Sequence, residues 1–228
     1  MRNGDECVLP THCKDCVCEW LGNSKFISFD RKNIKFDGNC TYVLSRDIVE
    51  NVKGNKGYTY QVLVSNKICD TGICTEAVVV LYQGHVVKIT EGVPAQEFDV
   101  ELDGSKVYKF PSNTSWLTLE QTPSKKMQLL IPSIQLEIIV YQPNFAFSLT
   151  VPSHIFGGGM EGLCGNCNEE LDDDLKQPDG QVYDHFLNTT NVQVRATDDL
   201  DLLVTRLRTI CKILVQAGWS QNHQIMLT

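Results

Sequence analysis

The chain has 228 residues, enough to bury a full-sized core in one sandwich-type domain with smaller appendages. With 42% hydrophobic and 21% charged residues it has a globular rather than a disordered composition. The formal net charge of -8, with no basic run to offset it, argues against nucleic acid or an anionic membrane as a partner.

In chain order, residues 1–18 hold Cys7, Cys13, Cys16 and Cys18 with Pro10 and His12 between them. This stretch is too short and polar for a core and is expected to be the tail of a preceding cysteine-rich module. Met1 to Glu6 lead into it without the apolar segment of a secretory signal, so the chain is expected to be a piece of something longer. From Trp20 the pattern changes to short runs of aromatic and β-branched residues: Phe26 to Phe29, Thr41 to Leu44 and Tyr58 to Val64. Asn55-Lys56-Gly57 and Asp70-Thr71-Gly72 supply turns, the second between Cys69 and Cys74, where a disulfide would close a hairpin tip.

Further strands are predicted at Ala77 to Tyr82, His85 to Thr90 after a Gln83-Gly84 turn, Glu97 to Leu102, Lys106 to Phe110 and Ser115 to Leu119. Met127 to Ile131, Ile134 to Tyr141 and Phe145 to Val151 follow, the last two with clear alternation. Short strands at this spacing predict an all-β protein, an antiparallel β-sandwich. Helical periodicity appears only after Thr197-Asp198-Asp199, where Leu200, Leu203, Leu207, Ile210, Cys211, Leu214 and Val215 share one face up to Gly218. The expected organisation is a cysteine-rich tail (1–18), one β domain (19–187), and a linker with an amphipathic C-terminal helix (188–228).

Ten cysteines, even in number and without zinc-finger spacing, favour disulfides formed in an oxidising compartment. Three N-glycosylation sequons, at Asn39, Asn113 and Asn188, agree with a secreted, extracellular chain. No apolar run reaches the roughly 18 residues of a membrane-spanning helix.

The most acidic stretch is Glu161-Gly162-Leu163-Cys164-Gly165-Asn166-Cys167-Asn168-Glu169-Glu170-Leu171-Asp172-Asp173-Asp174, preceded by Gly157-Gly158-Gly159. Ca2+ takes six to eight oxygens from carboxylates, amides and carbonyls, and Asn166, Asn168, Asp173 and Asp174 offer such oxygens at loop spacing. The order of an EF-hand is absent. Crowded carboxylates repel one another unless a cation offsets them, and the interleaved cysteines would hold them in place.

Phe29-Asp30, Cys40-Thr41-Tyr42-Val43-Leu44, the Cys69/Cys74 pair, Val151-Pro152-Ser153-His154 and Gly162-Leu163-Cys164-Gly165-Asn166 together resemble the von Willebrand factor type D domain. Asp15-Cys16-Val17-Cys18-Glu19-Trp20 and Gly38-Asn39-Cys40 make the likeness strongest to the fourth D assembly of gel-forming mucins and of von Willebrand factor. It covers residues 15–185.

The resemblance implies a disulfide-linked β-sandwich with a calcium ion in the loop after G-L-C-G-N. It implies Asp30, Asn166, Asn168, Asp173 and Asp174 as ligands, with a main-chain carbonyl near Glu170 as a further candidate. Arg31 stands where the family's F-D-G motif has glycine. The implied disulfides are Cys69-Cys74, Cys40-Cys211, and Cys18 with either Cys164 or Cys167. Either register leaves one loop cysteine without a family mate, to bond a cysteine of the first module, to join another chain or to remain free. Gly22-Asn23-Ser24-Lys25 replaces the self-cleaving G-D-P-H of some mucins, so no autoproteolysis is expected.

The implied function is a non-catalytic assembly or adhesion module whose partners are other domains of the same extracellular glycoprotein. A type D module of a growth-factor-binding regulator is an alternative. So is a thiol-disulfide exchange site at Cys164 and Cys167, which the acidic surroundings disfavour because they raise a thiol's pKa. The five histidines are scattered and bring no Ser/His/Asp order with them.

Overall fold

Strands such as Lys126-Met127-Gln128-Leu129-Leu130-Ile131 bury every second side chain, so Met127, Leu129 and Ile131 turn inward while their neighbours face outward. The computed structural model describes residues 14–22, 24–50, 56–70, 72–92 and 98–174. Its first strands are β1 (Asp15–Gly22), β2 (Lys25–Ile27), β3 (Asn33–Lys35), β4 (Thr41–Asp47), β5 (Val49–Glu50), β6 (Lys56–Gly57), β7 (Tyr60–Cys69), β8 (Gly72–Tyr82) and β9 (His85–Glu91). Then come β10 (Phe98–Leu102), β11 (Ser105–Lys106), β12 (Ser112–Asn113), β13 (Thr118–Thr122), β14 (Lys126–Ile131), β15 (Leu136–Tyr141), β16 (Ala146–Pro152), α1 (Ser153–Phe156) and β17 (Met160–Glu161).

An eight-stranded sheet runs β12-β13-β14-β15-β16-β1-β2-β3 and a seven-stranded sheet runs β11-β10-β9-β8-β7-β4-β17. The pairings in both are antiparallel. One core cluster draws on both sheets, with Val62, Val78 and Ile89 from one and Leu129, Ile138 and Leu149 from the other. The Trp20 indole stacks between Phe26 and Phe147, and its Nε1 donates to Thr75 Oγ1 at 2.7 Å, joining the sheets. The unbroken apolar run of β8 has a separate cause. Val78 and Val80 enter this core, whereas Ala77, Val79 and Leu81 join Val43 and Leu63 in a second buried cluster.

Turn chemistry sets the hairpins. Gln83 and Gly84 take φ of 49° and 85°, the two-residue geometry whose twist matches the strands it joins. Other expectations shift. Lys106 to Phe110 contributes only its first residue to a strand, β11. Ser115 to Leu117 lie in a turn that Thr114 Oγ1 closes by accepting the Leu117 N–H at 3.0 Å, so β13 starts at Thr118. A helical turn over Pro132–Ile134 delays β15 to Leu136. Cys16 and Cys18, expected in a module tail, are buried in β1, which pairs with β16. The predicted C-terminal helix and the linker before it lie outside the described residues.

Candidate metal site

The acidic loop begins at β17, where Arg46 and Glu161 form an ion pair through both Nε and Nη2. The Arg46 guanidinium also lies over the Tyr58 ring, 4.1 Å from its centroid. Beyond β17 the chain hugs the edge of β4. Leu163 N–H donates to Val43 O at 3.1 Å and Cys164 N–H to Leu44 O at 2.9 Å. Gly162, at φ 137°, permits this approach, since a Cβ there would stand 2.5 Å from the Leu44 carbonyl oxygen.

Two disulfides clamp the loop to β1: Cys18–Cys164 and Cys16–Cys167. Of the two registers implied for Cys18, the structure takes Cys164. Cys167 is not left for another chain; it bonds Cys16, and among the described residues no cysteine is free. Cys164 and Cys167 are therefore not bonded to each other, and C-G-N-C is not a redox pair in this state. Cys69–Cys74 closes the β7–β8 hairpin as expected. Cys40 is disulfide-bonded, but its expected partner, Cys211, lies outside the described residues.

Asp30 comes to the loop from the turn between β2 and β3. Phe29 N–H donates to Cys164 O at 2.9 Å, and Arg31 closes the turn with φ 72° and an N–H bond to Ser28 O at 3.1 Å. Arg31 thus holds a left-handed backbone, a conformation that favours glycine. Asp30 Oδ1 accepts the Glu169 N–H at 2.7 Å and Oδ2 accepts the Asn168 N–H at 3.3 Å.

The remaining predicted residues converge on the same place. Asn166 Nδ2 and Asn168 Nδ2 donate to Asp173 Oδ2 at 3.0 and 2.9 Å, and Asn168 Oδ1 accepts the exposed Glu170's N–H at 2.8 Å. Asp174 is 1% exposed and accepts a hydrogen bond from Ser28 Oγ. A Cβ on Gly165, which has φ 80°, would collide with the Asp174 carboxylate.

Burial pushes the Asp174 carboxyl up to about 7; the Ser28 bond opposes this, and neighbouring Asp30 and Asp173 add to it. Within this loop three oxygens are left buried without a hydrogen-bond donor: Asn166 Oδ1, Asp173 Oδ1 and Asp174 Oδ1. Each unsatisfied buried acceptor costs about 1–3 kcal/mol. Among the described residues no three His, Cys, Asp or Glu side chains form a metal cluster by themselves. This donor set adds amide oxygens, and all-oxygen sets suit hard cations.

The model of the von Willebrand factor type D domain family matches residues 18–181. The chain belongs to that family. It is 34% identical over 206 residues to hemocytin of Bombyx mori, covering 89% of this chain and 6% of hemocytin. Over 245 residues it is 24% identical to mucin-2 of Mus musculus, covering 97% of this chain and 5% of the mucin. It is 26% identical over 215 residues to von Willebrand factor of Bos taurus, covering 83% of this chain and 21% of that protein. This type D domain chain therefore spans a small part of the length of these relatives.

Sequence reasoning missed two residues that shape this site. Ser28 gave no signal because a serine before Phe-Asp is unremarkable until the fold sets its hydroxyl against Asp174. Gly165 carried a usable one, a glycine inside an acidic run, which marks close approach by another group.

Proposed function

We propose that this type D domain is a calcium-stabilised, non-catalytic assembly module of a secreted mucin-like or von Willebrand factor-like glycoprotein, of the fourth D assembly kind. One observation carries the metal part: Asn166, Asp173 and Asp174 each leave an oxygen buried and unpartnered around carboxylates that repel one another. Asp30 belongs to the same set, so the ion would tie the β2–β3 turn to the last loop. Bound calcium would supply positive charge to these carboxylates, while Ser28, Gly165 and the two loop disulfides hold the donors in place.

The extracellular assignment rests on the disulfides and on the kinship with mucins, von Willebrand factor and hemocytin. No helix among the described residues is long and apolar enough to cross a membrane. A thiol-exchange role is disfavoured, because Cys164 and Cys167 each hold a different β1 cysteine.

The test is thermal unfolding of the non-reduced protein in calcium and in chelator, alongside Asp173→Ala/Asp174→Ala. A ligand that binds only the folded state must raise its melting temperature. The expected result is a calcium-dependent rise that the double variant loses. An unchanged melting temperature in the parent protein would end the metal reading.

A further inference from the structure

Of three sequons, the structure favours one. Asn39 is half-buried, its side-chain oxygen beside the sulfur of the disulfide-bonded Cys40. Asn188 lies outside the described residues. Asn113 is exposed, and so is Ser115, which completes its sequon. Thr114, between them, takes its backbone conformation from the turn: its N–H donates to Leu117 O at 2.8 Å while its Oγ1 accepts the Leu117 N–H.

Asn113 also stands at a particular place, the outermost strand of the eight-stranded sheet. β12 pairs with β13 at only two positions, Ser112 with Leu119 and Asn113 with Thr118. Beyond them, among the described residues, Glu120, Gln121 and Thr122 of β13 pair with β14 and have no strand partner on their other side, although the Thr122 carbonyl accepts the Lys125 N–H at 3.1 Å. A row of unpaired backbone groups at a sheet edge is a template for another chain. The opposite edge, β3, carries Lys35, and the edge strand β11 of the other sheet carries Lys106. β12 has no charged residue, and the open part of β13 beside it carries one, Glu120.

We propose that Asn113 carries an N-linked glycan that covers this open edge and keeps it from pairing with a second chain. The inference rests on the extracellular reading above but not on calcium. The Asn113 amide nitrogen would attack C1 of an oligosaccharide held on a polyprenyl pyrophosphate. The N–C1 bond forms, the C1–O bond to the pyrophosphate breaks, and the amide proton leaves.

The experiment is secretion from animal cells behind a supplied signal, comparing the parent chain with Asn113→Gln and Ser115→Ala. Amidase release of the glycan should change the mass of the tryptic peptide from Phe110 to Lys125, in the parent chain alone. Both variants are expected to unfold at the parent's melting temperature yet to lose monomer to aggregates in size-exclusion chromatography. An unmodified Asn113 in the secreted parent overturns the proposal. A Ser115→Ala chain that lacks the glycan yet stays as monomeric as the parent overturns the edge-covering role. A glycan present after forced secretion but missing from the chain taken from its natural source overturns both the proposal and the extracellular reading. An occupied Asn113 in a chain indifferent to calcium supports the proposal and sinks only the metal reading.

Discussion

Asp30 and Glu169, 139 residues apart in the chain, are joined by a 2.7 Å hydrogen bond from the Glu169 main-chain N–H to Asp30 Oδ1. With the Asn168 N–H on its other oxygen, one carboxylate fixes the position of the loop's backbone against the β2–β3 turn.

Asp30→Ala removes both bonds and is expected to cost about 1–2 kcal/mol without calcium, since the freed N–H groups are reached by water. On the proposed calcium site the cost is expected to grow in calcium, because the variant would also lose a metal oxygen. Chemical denaturation in chelator and in calcium reads both. Equal losses in the two conditions would place Asp30 outside the metal's reach.

Asp174 predicts an unusual pH dependence for the calcium-free protein. Its folded-state pKa is raised to about 7 from the ordinary 3.8, so the fold binds a proton more tightly than the unfolded chain does. Stability contributed by this group is present at low pH and falls as pH rises between those two values, the reverse of a salt-bridged carboxylate. Urea unfolding in chelator should show lower stability at neutral pH than near pH 5. Asp174→Asn should flatten that slope. A parent chain that gains stability over the same range would contradict the prediction.

Gly165→Ala places a methyl group against the Asp174 carboxylate at a backbone φ of 80°. Strain and collision together are expected to cost roughly 2–4 kcal/mol and to weaken calcium stabilisation. Gly84→Ala is a control for the backbone term, because its added Cβ meets nothing within 4 Å at φ 85°. If both substitutions cost the same, the contact with Asp174 contributes nothing.

Arg31 holds a left-handed conformation that glycine adopts without penalty. Arg31→Gly should therefore raise stability by about 1 kcal/mol. The lost contact with Glu19, 3.5 Å long and exposed, offsets little of this. A melting temperature lower than the parent's would show that the ion pair outweighs the backbone strain.

Much of the sandwich is legible in the sequence because strand alternation is local. Met127 to Ile131 and Phe145 to Val151 state which side chains face inward, and Gln83-Gly84 states where the chain reverses. The hidden parts have physical causes too. β1 looked like a module tail because its cysteines replace the large apolar residues that announce a strand. Thr114 captured the start of the expected Ser115 strand through a hydrogen bond that no propensity reveals.

At the loop, the residue types alone named Asn166, Asn168, Asp173 and Asp174, since oxygen-rich side chains interleaved with cysteines are a chemical statement in themselves. Family likeness added Asp30. The tertiary structure decided the rest. Disulfide partners depend on which sulfurs meet across some 146–151 residues of chain, so family likeness narrowed the partner of Cys18 to Cys164 or Cys167, and the fold decided for Cys164 and gave Cys167 to Cys16. Ser28 and Gly165 likewise acquire their roles when Asp174 is buried between them, because the cost of an unpaired charge depends on what surrounds it in space.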